Sequence, residues 1–326
     1  MRNLKSDFIY RLKDKVIEGN KITSEEALKL ISTKDINVLA ECANKITTTF
    51  SGDSVDVETL INAKSGRCPE DCSFCAQSSF NSTPIDKYPL LSHDKIFEQA
   101  ERALQSGANS FCIVCAYKAP PEDDFEHICE SIKIIRSKLK IDVNVSLGFM
   151  TLERAKRLKS LGVKRYNHNL ETSKSFFNKI CTTHSYEDRI NTAKIVKEAG
   201  LELCSGGIIG MGETKEQRVE LGVALSELQP DEVPVNMLLG REGTPHYNNN
   251  FISEKEIIQT IGTFRFLMPK TILKIAGGRE VHLKGDGKKV LRAGANGIIT
   301  GGYLTTEGNK PSDDFKMLKE IGIKQR

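Results

Sequence analysis

One recurrence constrains this chain more than anything else in it. At intervals of about 20 to 35 residues, an apolar run rich in β-branched residues is followed by an amphipathic run with helical periodicity. Eight apolar runs stand at 57–63, 110–115, 142–147, 165–169, 202–208, 232–237, 271–275 and 297–299. The helical runs between them cover 93–105, 125–139, 152–160, 186–198, 215–228 and 254–266. Several end at Gly107, Gly162 or Gly200, where a residue free to take positive φ stops a helix. Parallel strands joined by crossover helices and repeated eight times close most simply into an α/β fold of the TIM type, a (β/α)8 barrel. A doubly wound open sheet is the alternative. Residues 1–50 carry no strand signal but do carry a helix start at Thr23-Ser24-Glu25-Glu26, so they read as an N-terminal helical extension to a barrel spanning 51–326.

The barrel expectation locates the chemistry, because such enzymes place it on the loops that follow the C-terminal ends of the strands. Composition narrows the class. Lys and Arg total 47 against 43 Asp and Glu, and the excess is not gathered into a run, so nucleic acid is not an expected partner. No stretch approaches the roughly 20 apolar residues that span a bilayer, and the first residues mix charge with apolar side chains, which predicts a soluble, cytoplasmic protein with no membrane partner. Nine cysteines in 326 residues do not suggest a disulfide framework, which belongs to short secreted domains. They point to metal or redox chemistry.

Three of them, Cys68, Cys72 and Cys75, follow the first apolar run with the spacing C-x3-C-x2-C, in a loop that opens with Ser65-Gly66. A loop of this length can turn three thiolates toward one centre. A structural zinc site closes its shell with four Cys or His ligands, and no fourth stands nearby in the sequence. Three thiolates instead leave one iron of a [4Fe–4S] cluster open, although a zinc knuckle remains the plain alternative.

C-x3-C-x-aromatic-C after a first strand resembles the radical S-adenosylmethionine superfamily, in which the open iron binds the amino and carboxylate groups of S-adenosylmethionine. From about residue 20 onward the chain resembles, more narrowly, the biotin synthase family. The blocks that carry this are the cysteine loop continuing through Ala76-Gln77-Ser78-Ser79, the run from Tyr166 to Thr172, the run from Cys204 to Thr214, Val235-Asn236-Met237-Leu238, and Ala276-Gly277-Gly278-Arg279-Glu280. The resemblance implies that Cys68, Cys72 and Cys75 hold the radical-generating cluster and that Asn169 and Glu171 bind S-adenosylmethionine. The family more often has Asp where Glu171 stands, one methylene shorter. Asn169 and Asn236 would face the ureido ring of dethiobiotin, and Thr305 and Thr306 would receive its carboxylate. Gly206, Gly207, Gly210 and Gly212 make a turn through which backbone could approach a ligand. His168 reads as a structural histidine, and Cys42, Cys129 and Cys181 as inert residues in or beside helices.

The chain departs from the family at its second, auxiliary cluster, a [2Fe–2S] centre held by one Cys from each of three strands and an Arg. Cys112, Cys204 and Arg279 match that pattern, but Asn144 stands where the third-strand Cys belongs. An amide oxygen is a poor substitute for thiolate on iron. Cys115 offers a replacement, three residues from Cys112. Residues three apart on a regular strand face opposite ways, so both can serve one cluster only if the chain bends or bulges near Val114. The metal ligands implied are therefore Cys112, Cys115, Cys204 and Arg279 beside the first triad, and three thiolates suit a 4Fe-type cluster carrying an extra sulfide better than [2Fe–2S]. The alternative is a Cys115 that is only a small buried hydrophobe.

The resemblance implies sulfur insertion into dethiobiotin, two molecules of S-adenosylmethionine per biotin, a flavodoxin or ferredoxin as electron donor, and a homodimer. Two rivals stand beside it: another radical enzyme of the same architecture, and a non-catalytic iron–sulfur carrier.

Overall fold

In the computed structural model, which describes residues 7–249 and 252–326, each of the eight apolar runs forms strand. The strands are β1 (Ser54–Lys64), β2 (Ser110–Cys115), β3 (Asp142–Ser146), β4 (Arg165–Asn167), β5 (Glu202–Cys204), β6 (Gly207–Ile209), β7 (Glu232–Met237), β8 (Ile272–Ile275), β9 (Gly297–Ile299) and β10 (Lys324–Gln325). They run parallel from β1 through β5, then β7, β8 and β9, and β9 pairs back onto β1 with Glu58 opposite Ile299. That last pairing closes the barrel and excludes the open doubly wound sheet.

The run expected as one strand over 202–208 is broken into β5 and β6, both paired to β7. Two glycines allow the break. A Cβ on Gly206 would lie 1.9 Å from the Pro234 carbonyl oxygen, and one on Gly207 would lie 2.6 Å from that of Glu171. Only bare backbone passes there. β10 adds a short edge to the start of β1, with Ser54 opposite Lys324.

The helices that cover the barrel are α4 (His93–Gln105), α5 (Glu122–Lys138), α6 (Leu152–Ser160), α7 (Lys174–Phe177), α8 (Tyr186–Glu198), α9 (Lys215–Leu228), α10 (Glu254–Leu267), α11 (Arg279–His282), α12 (Lys288–Leu291) and α13 (Pro311–Glu320). They follow α1 (Asp7–Ile17), α2 (Ser24–Ile31) and α3 (Ile36–Ser51), which precede the first strand. The helix start at Thr23 is a full capping box: the Thr23 hydroxyl accepts from Glu26 N at 3.1 Å, and Thr23 N donates to the Glu26 carboxylate at 2.7 Å. Ile9, Leu12, Leu30 and Leu39 of the first three helices pack with Val219 of α9 and Phe266 of α10, so this layer sits on the outside of the barrel. Each such side chain, fully buried, stabilises the layer by roughly 1.5–3 kcal/mol.

No helix among the described residues is long and apolar enough to cross a membrane. The strand ends that matter lie together at one rim, where β1 runs into the cysteine loop, β2 ends at Cys115, β4 at Asn167 and β5 at Cys204.

Candidate active site

The loop after β1 turns sharply at Gly66 and Arg67, both with positive φ, and then folds on itself. Cys68 N donates to Gln77 O at 3.0 Å and Ser79 N to Cys68 O at 2.8 Å, while Cys75 N donates to Cys72 O at 3.0 Å. The Asn81 amide ties the carbonyls of Cys72 and Cys75 at 3.3 and 2.8 Å. These bonds hold the three cysteine backbones fixed, and all three residues line one cavity of about 270 Å³ at the rim of the barrel. None of them is in a disulfide. Burial pushes the Cys75 thiol up to about 11 and raises that of Cys68 as well. A metal must therefore displace protons to bind here, as soft cations do at thiols.

Cys112, Cys115 and Cys204 line the same cavity further down the wall. Cys112 and Val114 face inward by strand alternation. Cys115 packs in part with the outer layer, yet its side chain also reaches the cavity. The bulge expected near Val114 is not in β2, whose residues pair without an insertion; the register slips on the neighbouring strand, where Asn62 pairs with Val114 and Lys64 with Cys115 and Ala63 of β1 is left unmatched. Asn167 Nδ2 donates to Cys112 Sγ at 3.4 Å, and Cys204 Sγ donates to Glu232 Oε1 at 3.2 Å. Burial pushes all three thiols up, Cys115 to about 12.

Beneath them lies a group of charges that the sequence did not single out. Lys274 Nζ sits 2.8 Å from Glu58, 2.7 Å from Glu232 and 3.1 Å from Asp56, and Arg165 bridges Glu232 and Glu202 at 2.7 and 2.9 Å. Lys274 and Glu232 are fully shielded from solvent. The signal available in the sequence was a lysine inside the apolar strand Ile272-Leu273-Lys274-Ile275, facing acidic residues on β1 and β7.

Asn144 belongs to this floor. Its Nδ2 donates to Glu58 at 2.6 Å, it is fully buried, and it does not line the cavity.

Arg279 does not reach the cavity. It starts α11 beyond the end of β8 and turns outward, where its two terminal nitrogens pair with both oxygens of Asp314 at 2.8 Å and donate to the carbonyls of Asp286 and Ile299 at 3.0 and 3.2 Å. Both terminal nitrogens are occupied in that fork, and the side chain does not line the cavity. The expectation of an arginine ligand is corrected accordingly, and the cation near Cys112 and Cys204 is Lys274.

Asn169, Glu171 and Asn236 all line the cavity. Glu171 takes a left-handed backbone at φ 68, and burial raises its carboxyl against the opposing pull of Arg189, 3.7 Å away. Both amides are partly spoken for: Asn169 Oδ1 accepts from Gly206 N at 3.0 Å, and Asn236 Oδ1 accepts from Gly277 N at 2.9 Å. Each amide oxygen keeps a second lone pair, and each Nδ2 makes only a long bond, to Glu171 at 3.5 Å and to Gly207 O at 3.4 Å. Backbone anchoring and ligand binding thus coexist in one side chain. His168 also lines the cavity, and burial, reinforced by Arg189, holds it well below the usual imidazole range and hence neutral.

Thr305 and Thr306 line a separate, more open pocket beside Arg241, whose Nη2 donates to Thr305 O at 2.9 Å. Leu304 lines both pockets and forms the wall between them.

Cys42 and Cys129 are buried in the helical layers, as expected of inert residues. Cys181 is different. Its sulfur lies 3.8 Å from that of Cys72, with His184 alongside, although it does not line the cavity. The Cys72 thiol donates to Cys181. Contact with Cys181 and burial hold Cys72 protonated, and Cys181 is pushed down because Cys72, His184 and Thr183 donate to it.

Two sequence families match the chain, the Radical SAM superfamily over residues 63–222 and the Biotin and Thiamin Synthesis associated domain over 234–324. Biotin synthase of Nitrosopumilus maritimus (strain SCM1) is 49% identical over 322 residues, covering 98% of this chain and 99% of that one. The chain belongs to the biotin synthase family. Biotin synthase of Clostridium perfringens (strain 13 / Type A), at 44% identity over 318 residues, likewise matches 98% of this chain and 99% of its own. Among solved structures, methylornithine synthase aligns with a TM-score of 0.85 at 23% identity over 97% of each chain. The hydrogenase maturase HydG aligns with a TM-score of 0.83 at 20% identity, covering 97% of this chain and 75% of that one. At these identities the structural likeness establishes the barrel fold alone. The donor set fits the clusters of the biotin synthase family: free thiols in two groups, on one cavity, with no competing disulfide.

Proposed function

We infer that the protein converts dethiobiotin to biotin by radical sulfur insertion. The observation that carries this is the meeting of two separate cysteine groups on one cavity at the C-terminal rim of the barrel. When bound, a [4Fe–4S] cluster with S-adenosylmethionine supplies a carbon radical able to take hydrogen from an unactivated C–H bond, and an auxiliary iron–sulfur cluster supplies the sulfur.

The chain's own residues position the reactants. Cys68, Cys72 and Cys75 would hold the first cluster on a loop stiffened by its own hydrogen bonds. Cys112, Cys115 and Cys204 would hold the second on the barrel wall, and Arg279 has no part in it. Three thiolates without the arginine favour a 4Fe-type centre with an extra sulfide over [2Fe–2S]. Asn169 and Glu171 would bind S-adenosylmethionine, with Arg189 balancing the carboxylate. The free amide hydrogens of Asn169 and Asn236 would meet the ureido carbonyl of dethiobiotin, and Thr305 and Thr306 its carboxylate beyond Leu304. Phe74, Tyr117 and Phe149 line the cavity and keep water from the carbon to be activated. A flavodoxin or ferredoxin as donor and a homodimeric state accompany this assignment.

The test is turnover under strictly anaerobic conditions. Protein reconstituted with iron and sulfide, then given S-adenosylmethionine, a low-potential reductant and dethiobiotin, should release 5′-deoxyadenosine and biotin together. Deoxyadenosine without biotin would point to another radical reaction, and neither product would point to an iron–sulfur carrier.

A further inference from the structure

The segment around Cys181 is built against the cysteine loop more tightly than a packing contact requires. Ser73 N donates to Ile180 O at 2.8 Å, and the Asp71 carboxylate accepts from Thr182 N at 2.9 Å, Thr183 N at 3.2 Å and the Thr183 hydroxyl at 3.0 Å. Asp71 also accepts from Cys181 Sγ at 3.1 Å. Because Asp71 adjoins Cys72 in the chain, the clamp holds the two segments together, with their sulfurs 3.8 Å apart. Arg189 Nη2 stands 3.9 Å from Cys72 Sγ and Arg189 Nε 3.0 Å from His184, so a cation overlooks the pair. A cysteine serving only as an apolar filler would not be ringed by Asp71, Thr183 and His184.

Their access differs. Cys72 lines the cavity and Cys181 does not. A small oxidant that enters the cavity when no cluster fills it meets Cys72 first, with Cys181 waiting behind.

We propose that Cys72 and Cys181 form a peroxide-driven dithiol–disulfide pair in the cluster-free protein, with Cys72 the attacked sulfur and Cys181 the resolving one. This rests on Cys72 being a ligand of the radical-generating cluster. In the first step Cys72, protonated at rest, releases its proton toward the cavity and its sulfur attacks one oxygen of hydrogen peroxide; an S–O bond forms, the O–O bond breaks and hydroxide leaves. In the second the Cys181 thiolate attacks the Cys72 sulfur, the S–S bond forms, the S–O bond breaks and a second hydroxide leaves. The two thiol protons convert both hydroxides to water. Two thiols are oxidised and one peroxide is reduced. A disulfide is about 2.05 Å long, so the sulfurs must close by roughly 1.8 Å. The disulfide blocks reloading of iron until it is reduced, and it stops Cys72 from passing on to the irreversible sulfinic acid.

The decisive experiment uses the full chain stripped of iron by chelation under argon. It is treated with hydrogen peroxide, alkylated and mapped by peptide mass spectrometry. A Cys72–Cys181 linked peptide that dithiothreitol releases, with iron loading restored, is the expected result. A link from Cys72 to Cys68 or Cys75, or sulfinic acid on Cys72 in the wild-type chain, would overturn the proposal. Cys181→Ala should load iron normally before oxidation and recover roughly tenfold less loading than wild type after peroxide and dithiothreitol, because sulfinic acid is not reduced by thiols. Equal recovery in both proteins also overturns it. Should Cys181→Ala fail to load iron at the outset, the wild-type peptide map decides alone. An incorrect assignment of the biotin-forming reaction shows up in the turnover assay and leaves that map unchanged.

Discussion

Cys68, Cys72 and Cys75 are held by a loop that bonds to itself, whereas Cys112, Cys115 and Cys204 hang from two strands of the barrel wall above a floor of buried charge. The loop takes its shape from bonds within residues 66–81, and one neighbouring segment, Ile180 to His184, clamps it from outside. The wall group takes its shape from the closure of the barrel, because the cysteines of β2 and β5 approach each other only when β3 and β4 are in place between them. A local site can be remodelled alone. A site dispersed over strands cannot change without the fold, and here Cys115 stands on β2 beside the unmatched Ala63, while β3 carries Asn144.

The sharpest way to break this comparison is at the loop. Cys68→Ala or Cys75→Ala should abolish cleavage of S-adenosylmethionine, assayed as 5′-deoxyadenosine, since the iron that loses its thiolate is left to solvent. Ordinary cleavage in either variant removes the assignment of the triad. At the wall, Cys112→Ala, Cys115→Ala and Cys204→Ala should behave alike. Each should lose the auxiliary iron, counted per chain, and all biotin, while still cleaving S-adenosylmethionine. A Cys115→Ala protein with full iron and normal biotin would return that residue to the role of buried filler.

Arg279 separates the two regions from their surroundings. Arg279→Met leaves Asp314 unpaired where both side chains are fully buried, and should cost about 3–5 kcal/mol of stability by thermal or denaturant unfolding. Iron per folded chain should stay unchanged, and its loss would restore Arg279 as a ligand. The smallest effects belong to the amides. Asn169→Ala or Asn236→Ala should weaken use of dethiobiotin by roughly 1–3 kcal/mol in kcat/KM with both clusters assembled. Missing iron in these variants would mean that their bonds to Gly206 and Gly277 are the whole of their role.

Much of this was legible in the sequence because the signals are local. The eight apolar runs carry their own periodicity, Thr23 and Glu26 carry their own cap, and the triad spacing lies within eight residues. The break between β5 and β6 was not legible, because it depends on how closely Pro234 and Glu171 approach two glycines from distant parts of the chain. The same holds for Arg279, whose motif gives no hint of Asp314, and for Cys181, which is 109 residues from the cysteine it touches. The register slip beside Cys115 was not legible either, because it lies on β1 and nothing in β2 announces it. Lys274 was overlooked because a charge inside an apolar strand reads as an exception until its carboxylate partners are in view.

The floor of the barrel also sets how the site can respond when charge moves. Asp56, Glu58, Glu232, Arg165 and Lys274 are buried and paired with one another, so side-chain rotation cannot readily reorient their charge, and only Glu58 and Glu232 of the five face the cavity. Such a layer behaves as a frozen dipole with a small reorganisation energy. Any proton or counterion that must arrive to balance a change at the wall cysteines therefore has to come through the cavity from the rim.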